Sequence, residues 1–445
     1  MTHARSNSAD VSPAPRNGLR ILLLTSVLPW PLRRNGGSQR TALVRDALAR
    51  HGVVDTLAIG GAMLVEPAAD LDEKLAAQNV VGCFVRDDKP TYRAPWYAPG
   101  PLANVGATVA KYEHVYTAFA PAHQRFMQLV AQNKYDVIVS RYLQPAIQCG
   151  AVTPGGTRAF QHIPLVLDFD DIDWLTLGAD IRSRPWRGVT GPLAARRVLK
   201  RVTDIGTRAL QAFDHAWVTS DEDRAALAST NVATSVLPNI AFSDDPAGWI
   251  KTIAPNEDTR EVLFVGDLQL PPNRDGLDRF VSRIWPGVCA RVPGALLTIV
   301  GRGLTEQRKA QWSSTPGTNV LGFAPSLIEC YQRSAFTIAP LWFGGGTKIK
   351  VLETLAFGRT AVVTPHALRG YAALRDAQPP CVAIADDDVA FVNACVTLLS
   401  DAPARSAMAL RGRAMVEQLF SPARFHETVD ATMRQLLKTA RKETV

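Results

Sequence analysis

The sequence predicts an α/β protein made of two doubly wound domains. Short apolar runs, typical of buried parallel strands, alternate with helix-like stretches along almost the whole chain. This alternation occurs twice, and a charged, proline-containing segment at residues 243–260 separates the two series. The length of 445 residues agrees with two domains, because single cores stop growing near ~250–300 residues.

The first series of elements predicts an N-terminal domain over residues 18–242. A polar stretch at residues 1–17 is expected to be a disordered leader. Leu19–Ser26 is predicted as the first strand, Gln39–His51 as the first helix and Val53–Ile59 as the second strand. Further strands are predicted at residues 81–85, 137–140, 165–169, 216–220 and 234–237, with helices at 112–133 and 194–212.

The second series predicts a C-terminal domain over residues 261–420, after the linker at 243–260. Its strands are predicted at residues 262–266, 296–300, 319–322, 336–339 and 360–364, and its helices at 275–292, 347–357, 389–400 and 403–419. Residues 421–445 read as an amphipathic helix that is expected to return to the N-terminal domain. Open α/β sheets bind ligands beyond the carboxyl ends of their strands, so the two domains are predicted to face each other across a cleft.

Composition narrows the class of protein. The net charge of +8 suits anionic substrates or a membrane surface and is too small for a nucleic-acid arm. The six cysteines are scattered without zinc-ligand spacing, which predicts free thiols in a reducing compartment and no metal. Apolar runs fall far short of the ~20 residues needed to cross a bilayer, so a cytoplasmic location is expected, with peripheral membrane contact left open.

A glycine-rich turn at Phe343–Glu353 is the strongest motif. Glycines allow close backbone approach to a ligand, and a helix N-terminus offers unpaired N–H groups and a positive dipole end to an anion. Two lysines add charges suited to a diphosphate, and a glutamate about two turns further along suits ribose hydroxyls. The motif predicts a nucleotide-binding site that comprises Gly345, Gly346, Thr347, Lys348, Lys350 and Glu353.

A second glycine pair lies between the first strand and the first helix. Gly36 and Gly37 are preceded by Arg33 and Arg34 and followed by Arg40. Such a loop is suited to cap a diphosphate from the other domain, although paired glycines are also common in ordinary turns.

Four aspartates lie within residues 168–173, at the carboxyl end of a predicted strand. They suit metal binding, base catalysis or positioning of a hydroxyl acceptor, and helix capping is the simpler alternative. Asp168 and Asp170 share one face of an extended backbone. Positioning of the acceptor is favoured, with Asp170 and Asp171 as the candidate catalytic residues.

Residues 181–208 carry seven arginines and one lysine against one acid, and Trp174 and Trp186 lie close by in sequence. This composition suits an anionic lipid headgroup or a pyrophosphate-linked acceptor, and a solvated helix face is the alternative. Elsewhere, Gly266 follows a predicted strand where the backbone bends close to a ligand or a neighbour. No dinucleotide fingerprint, P-loop or nucleophile elbow is present, which argues against NAD dehydrogenases, P-loop NTPases and serine hydrolases.

Taken together, these motifs resemble the large retaining glycosyltransferase family four, which has the GT-B architecture. The resemblance covers almost the whole chain, and its most specific part runs from Ala339 to Glu353. The other matching segments are Leu28-Pro29, Gly36-Gly37, Arg40, Val236-Leu237-Pro238-Asn239, Phe264-Val265-Gly266, Pro272-Asn273, Ile284-Trp285-Pro286, Leu297–Gly301, Gly358 and Val362-Val363-Thr364.

The resemblance implies transfer of a sugar from a nucleoside-diphosphate sugar to a hydroxyl group, with retained anomeric configuration. Glu353 would bind the donor ribose and Lys348 and Lys350 its diphosphate. Gly36 and Gly37 would approach the diphosphate from the other domain, with Arg40 beside them, and Gly266 would border the donor pocket. The implied acceptor is a glycan, a lipid-linked or a small hydroxyl compound. No cofactor, bound metal or nucleic acid is implied, since the nucleotide sugar is a substrate.

Some positions depart from the family pattern. Many members carry a glutamate eight residues before the position of Glu353, where this chain has Gly345. A basic pair that often follows the Gly266 motif is absent, and Asp170 or Asp171 stands where a histidine is common. A nucleotide-sugar epimerase on the same fold and a non-catalytic nucleotide-sugar-binding partner subunit therefore remain as alternatives.

Overall fold

The structure is a computed structural model that describes residues 18–29, 36–61, 71–88, 100–183, 191–241, 253–254, 258–324 and 326–443. The described residues fall into two compact units. The N-terminal unit contains those up to Leu237 together with those from His426 onward, and the C-terminal unit is Pro238–Phe425. The predicted leader and most of the predicted linker lie outside the described residues.

In the described part of the N-terminal unit, seven parallel strands form one sheet in the order β3-β2-β1-β4-β5-β6-β7. The order reverses between β1 and β4, where Leu24 pairs with Ser140. The positions of the strands confirm the sequence prediction. They are β1 Leu19–Thr25, β2 Gly52–Gly60, β3 Val80–Val85, β4 Val137–Arg141, β5 Leu165–Phe169, β6 His215–Val218 and β7 Ala233–Val236.

Helices connect these strands. The predicted single helix at 112–133 is wrong at its start, because one helix ends at Glu113 and the next begins at Ala120. Pro121 lies in the first turn of the second helix, where its missing N–H costs nothing, whereas inside a helix it would break the hydrogen-bond ladder. The helices of this part are α1 Gly36–Ala49, α2 Leu71–Ala77, α3 Gly100–Glu113, α4 Ala120–Gln132, α5 Leu143–Gln148, α6 Asp173–Ser183, α7 Gly191–Leu210 and α8 Asp221–Ala226.

The described C-terminal unit repeats this plan with six parallel strands in the order β10-β9-β8-β11-β12-β13. The last strand has only two residues and was not predicted, since so short a run carries no period. The strands are β8 Glu261–Val265, β9 Leu296–Val300, β10 Thr318–Gly322, β11 Phe336–Ala339, β12 Ala361–Val363 and β13 Ala383–Ile384. The helices are α9 Pro271–Arg279, α10 Trp285–Arg291, α11 Glu306–Ser313, α12 Ile328–Arg333, α13 Ile349–Ala356, α14 Ala372–Arg375, α15 Asp388–Ser400 and α16 Ala402–Leu419.

The final helix, α17 (Pro422–Glu443), packs in the N-terminal unit from His426 onward, as predicted. The buried indole of Trp217 on β6 donates a 3.0 Å hydrogen bond to the Thr432 hydroxyl. The His51 imidazole lies 2.7 Å from the Asp430 carboxylate. Among the helices that the structure describes, none combines the length and apolarity required to span a membrane.

Candidate active site

The predicted site residues follow strands next to the point where each sheet reverses its strand order. In open α/β sheets this switch point forms the crevice in which ligands bind. In the N-terminal unit it lies between β1 and β4, and Gly36 and Gly37 follow β1. In the C-terminal unit it lies between β8 and β11. Gly266 follows β8, and the glycine-rich loop follows β11.

Two glycines of the loop between β11 and α13 adopt backbone angles that other residues rarely adopt. The φ angle is +113° at Gly344 and +63° at Gly346. A Cβ on Gly344 would also lie 2.8 Å from Cγ of Pro272, closer than real Cβ contacts come. Glycine is therefore required at position 344 both for the backbone angle and for the space.

The loop is fastened by its own polar side chains. The Lys348 ammonium donates to the carbonyl oxygens of Gly345 and Gly346. The Thr347 hydroxyl accepts a 2.9 Å hydrogen bond from the amide of Asn239, which is itself buried. The ammonium therefore lies at the carbonyl edge of the loop, and internal hydrogen bonds fix the loop geometry.

Helix α13 begins at Ile349, two residues later than predicted, and ends at Ala356. Lys348 occupies the cap position but supplies no side-chain cap hydrogen bond to the first turn. The Val351 N–H donates to the Lys348 carbonyl at 2.9 Å. The positive dipole end of the helix suits an anion at this position. Glu353 lies one turn beyond Ile349 and is partly exposed.

Lys350 lies in the first turn of α13, and the structure brings it to Gly266. Its ammonium lies 4.4 Å from the centroid of the Phe264 ring and donates a 2.7 Å hydrogen bond to Oδ1 of Asn273. A Cβ added to Gly266 would lie 2.7 Å from this ammonium. The glycine after β8 therefore makes room for a lysine of the protein as well as bordering the predicted pocket.

The electrostatic surroundings of Lys350 connect the predicted residues. Loss of water and, to a smaller extent, the neighbouring Lys348 charge lower the pKa of Lys350 to about 7, although Glu353 and Asp267 act in the opposite direction. The charged residues of the motif thus lie close enough to interact electrostatically with one another. Their contact with a diphosphate and a ribose stays a prediction.

Two residues at this site were given no role by sequence reasoning. Asn273, 7% exposed, donates a 2.7 Å hydrogen bond to the Asp267 carbonyl and holds the Lys350 ammonium with its other amide atom. It lies on α9, which begins at Pro271 and therefore earlier than the predicted helix start at 275. His366 lies 2.9 Å from the Gly344 carbonyl, and burial, followed by the Lys348 charge, lowers its pKa. The feature of the sequence that could have drawn attention to His366 is its position shortly after the predicted strand β12.

In the N-terminal unit, two buried arginines converge on Asp168. The Arg40 Nε atom lies 3.1 and 3.0 Å from the two carboxylate oxygens, and its Nη2 atom lies 2.5 Å from Oδ1. Arg141, at the end of β4, donates from Nη1 to Oδ2 at 2.9 Å. All three side chains are 0% exposed.

Arg40 was predicted to bind the donor, and the structure places its side chain on the inward face of α1, paired with Asp168. A buried guanidinium requires such a carboxylate partner. Contact of Arg40 with the donor stays a prediction. Helix α1 begins at Gly36, three residues earlier than predicted, so Gly36 and Gly37 form its first turn, where they are partly exposed. The Gly37 carbonyl accepts a 3.1 Å hydrogen bond from Arg141. Arg33 and Arg34 lie outside the described residues.

The two aspartates predicted as catalytic follow β5. The Asp170 side chain is 12% exposed, and its Oδ2 accepts hydrogen bonds from Arg141 at 3.1 Å and from the Tyr142 hydroxyl at 3.3 Å. Asp171 is partly exposed beside it. A carboxylate whose charge is matched by an arginine suits a hydrogen bond to a hydroxyl group better than proton abstraction. Arg141 and Tyr142 were not singled out from the sequence.

Within the described ranges, no group of three or more His, Cys, Asp or Glu side chains is placed to hold a metal ion. The predicted absence of a metal stays a prediction.

Comparison with known proteins finds one family model and one curated relative that match part of the chain. Residues 259–401 match the model of the family Glycosyl transferases group 1. An uncharacterized 44.6 kDa protein in the cps region of Klebsiella pneumoniae is 31% identical over 139 residues, which covers 30% of this chain and 35% of that protein. The match thus spans about a third of the length of this curated relative.

Solved structures share the fold across most of the chain. TarM of S. aureus has a TM-score of 0.59 at 9% identity and covers 94% of this chain and 98% of its own. WaaG, a glycosyltransferase involved in lipopolysaccharide biosynthesis, has a TM-score of 0.54 at 15% identity, with coverages of 92% and 99%. HepE of Anabaena, solved with UDP and glucose, has a TM-score of 0.56 at 14% identity, with coverages of 94% and 100%.

The fold is therefore the GT-B fold of glycosyltransferases, with two Rossmann-like sheets. The segment that matches the Glycosyl transferases group 1 model lies within the C-terminal unit. This agrees with the resemblance in the sequence.

Proposed function

We propose that the protein transfers a sugar from a nucleoside-diphosphate sugar to a hydroxyl group of an acceptor and retains the anomeric configuration. The observation that carries the proposal is the glycine loop at residues 344–348, which leads into α13 with Lys348 and Lys350 before Glu353. This loop lies within the segment that matches the family model.

The donor end of the proposal follows from charge and geometry. The positive dipole end of α13, which has no side-chain cap, and the Lys348 ammonium favour an anionic diphosphate. Glu353, about one helical turn further on, offers carboxylate oxygens to the two hydroxyls of a ribose. HepE of Anabaena was solved with UDP and glucose, which supports a uridine nucleotide as the first donor to test.

The chemistry proposed for this site depends on positioning. In front-face transfer the leaving phosphate takes the proton of the acceptor hydroxyl, so the protein needs no strong base. The amides of α13 and Lys348 stabilise the negative charge that develops on the diphosphate, and loss of one such donor costs on the order of 10²–10³ in rate. Asp170 and Asp171 orient the acceptor in this proposal.

Polysaccharide or glycolipid biosynthesis is the proposed setting. WaaG acts in lipopolysaccharide biosynthesis and supports a glycan acceptor. The proposed location is the cytoplasm, and this is supported by the cysteines, all six of which are free thiols.

A basic face on α7 supports peripheral attachment to the inner face of a membrane. Arg196 and Arg197 are exposed, the side chains of Lys200 and Arg201 are 78% and 50% exposed, and Leu193 is 39% exposed. Cationic side chains near an anionic surface contribute roughly 1 kcal/mol each. Flotation with vesicles containing anionic lipid tests this point. We expect association with the vesicles that weakens as salt is added and in the double variant Arg196→Gln plus Arg197→Gln. If the protein does not associate, these residues form an ordinary solvated helix face.

The main experiment compares Glu353→Gln with Glu329→Gln, an exposed glutamate in the same unit. Binding of UDP-glucose, UDP-galactose, UDP-N-acetylglucosamine and GDP-mannose is measured by thermal shift and calorimetry. Wild type and Glu329→Gln are expected to bind one of these donors alike. Glu353→Gln is expected to bind it about 10- to 100-fold more weakly, because hydrogen bonds to a charged group are worth ~1.5–3 kcal/mol.

The outcomes separate the alternatives. If Glu353→Gln binds the donor as tightly as wild type, Glu353 does not bind the ribose. Isomerised sugar formed without acceptor identifies an epimerase. Donor binding without transfer or hydrolysis indicates a non-catalytic partner subunit, and no binding of any nucleotide sugar overturns the proposal.

A further inference from the structure

Tyr142, the residue after β4, has a backbone conformation that is almost exclusive to glycine. Its φ and ψ angles are 71° and 160°. A side chain at this φ clashes with its own backbone, and such residues persist only where their surroundings hold them and are concentrated at functional sites. Tyr142 lies at the carboxyl edge of the sheet, beside the switch point between β1 and β4.

Five contacts hold Tyr142 in place. Its N–H donates to the Asp168 carbonyl at 3.0 Å, and its carbonyl accepts from the Ser140 hydroxyl at 2.8 Å. The Arg141 guanidinium lies 4.6 Å from the centroid of its ring and donates to its hydroxyl at 3.0 Å. The same hydroxyl donates to Oδ2 of Asp170 at 3.3 Å. The strained backbone thus places the hydroxyl between an arginine and the aspartate.

The charged and polar side chains around Tyr142, called here the Tyr142 cluster, differ in their exposure to solvent. Arg40, Arg141 and Asp168 are closed off from solvent, whereas Tyr142 and Asp170 are partly exposed. The interior ion pairs therefore form the support, and the Asp170 carboxylate, next to the Tyr142 hydroxyl, forms the outward part. A hydroxyl compound that arrives at this edge of the sheet meets these two groups.

The charge of the cluster indicates which acceptors fit. Among these described groups, two guanidiniums, of Arg40 and Arg141, face three carboxylates, of Asp168, Asp170 and Asp171. Burial raises the pKa of Tyr142, so its hydroxyl keeps its proton and donates hydrogen bonds. A site without excess positive charge disfavours phosphate or carboxylate groups and suits a neutral sugar with free hydroxyls.

We propose that Tyr142 is a positioning residue for the acceptor. Its strained backbone holds its hydroxyl on Asp170, so that Asp170 accepts a hydrogen bond from a hydroxyl of an uncharged sugar. This inference rests on the proposed function and extends it by naming the acceptor class, a neutral glycosyl group, and the residue that aims the aspartate.

The binding test uses saturation-transfer NMR on the full chain. The probes are methyl α-glucoside, methyl α-galactoside and methyl α-mannoside, with glucuronate and glycerol 3-phosphate as anionic counterparts. The variants are Tyr142→Phe and, as a matched control, Tyr112→Phe on α3, an exposed tyrosine of the same unit. A neutral sugar is expected to bind wild type and Tyr112→Phe alike, and Tyr142→Phe about tenfold more weakly. No neutral sugar binding, preference for the anionic probes, or unchanged binding by Tyr142→Phe overturns the inference.

A kinetic test distinguishes positioning from a merely structural role. Hydrolysis of the bound nucleotide sugar without acceptor is expected to change by less than about twofold in Tyr142→Phe, whereas transfer to the octyl glycoside of the sugar that binds falls about tenfold or more. Equal losses in both reactions overturn the positioning role. If no nucleotide sugar binds or reacts, the proposed function fails. If donor reactions persist and the tyrosine variant matches wild type, only this inference fails.

The strain is tested by replacing the side chain altogether. Glycine adopts the observed angles freely, whereas alanine keeps the clash. Tyr142→Gly is therefore expected to melt about 2–6 °C above Tyr142→Ala, and both are expected to lose the sugar signal. If Tyr142→Gly melts at a lower temperature than Tyr142→Ala, the backbone of Tyr142 is not strained.

Discussion

The buried pairing of Asp168 with two arginines makes a sharp prediction about stability. Asp168→Asn keeps the size of the side chain but removes the charge that compensates Arg40 and Arg141, both of which are 0% exposed at their side chains. Removing one partner of a buried ion pair leaves an uncompensated charge in the interior. That loss costs about 3–5 kcal/mol of the free energy of unfolding.

For a unit of this size, each kcal/mol lowers the melting temperature by about 2–4 °C, so the N-terminal unit is expected to melt about 6–20 °C earlier. Differential scanning calorimetry measures this, and hydrogen exchange of the β5 peptide assigns the transition to the N-terminal unit. The matched control is Asp204→Asn. Its partner Lys200 is 3.1 Å away, but the two side chains are 41% and 78% exposed.

An exposed pair at this spacing is worth only about 0.3–0.5 kcal/mol, so the control should melt close to wild type. If Asp168→Asn loses less than about 1 kcal/mol, like the control, the reasoning about the buried pair is refuted. Asp168 would then return to the candidates for direct contact with a substrate.

Three further predictions concern the rest of the molecule. Gly344→Ala should lower the melting temperature more than Gly322→Ala, because both positions have positive φ (+113° and +73°) but only at Gly344 would the new Cβ collide, 2.8 Å from a proline ring; equal losses would contradict this. The pKa of Lys350 is about 7 in the folded protein, so above that pH the unfolded chain binds a proton that the folded one lacks. Stability should therefore rise between pH ~7 and ~10, by at most about 1.4 kcal/mol per pH unit, and Lys350→Met should flatten the rise in urea unfolding; parallel pH profiles would refute the shift. Thr432→Val leaves a buried indole N–H without its acceptor, so α17 should exchange amide hydrogens faster, at a cost of about 1–3 kcal/mol, and unchanged exchange would argue against this anchor.

Local patterns in the sequence were enough to predict most of the fold. The described strands of both sheets, apart from the two-residue β13, were located because a buried strand depends on a short apolar run that is visible in the sequence. The glycine loop and Glu353 were located because turn residues and helical spacing act over a few residues. Even there, the helix starts were displaced. Helix α9 begins at Pro271 and α13 at Ile349, because boundaries depend on caps and prolines as much as on periodicity.

Only the tertiary structure decided which partners the charged side chains take. Arg40 was assigned to a diphosphate from its glycine and arginine neighbours, yet its partner Asp168 lies 128 residues away in sequence. Lys350 is held by Asn273 across 77 residues, and no local pattern gives that contact. The strained backbone of Tyr142 is equally invisible in the sequence, which shows an ordinary tyrosine after a strand. Residue type and spacing determine what a side chain is able to do, whereas the crossing of distant strands determines which charge it faces and how much water reaches it.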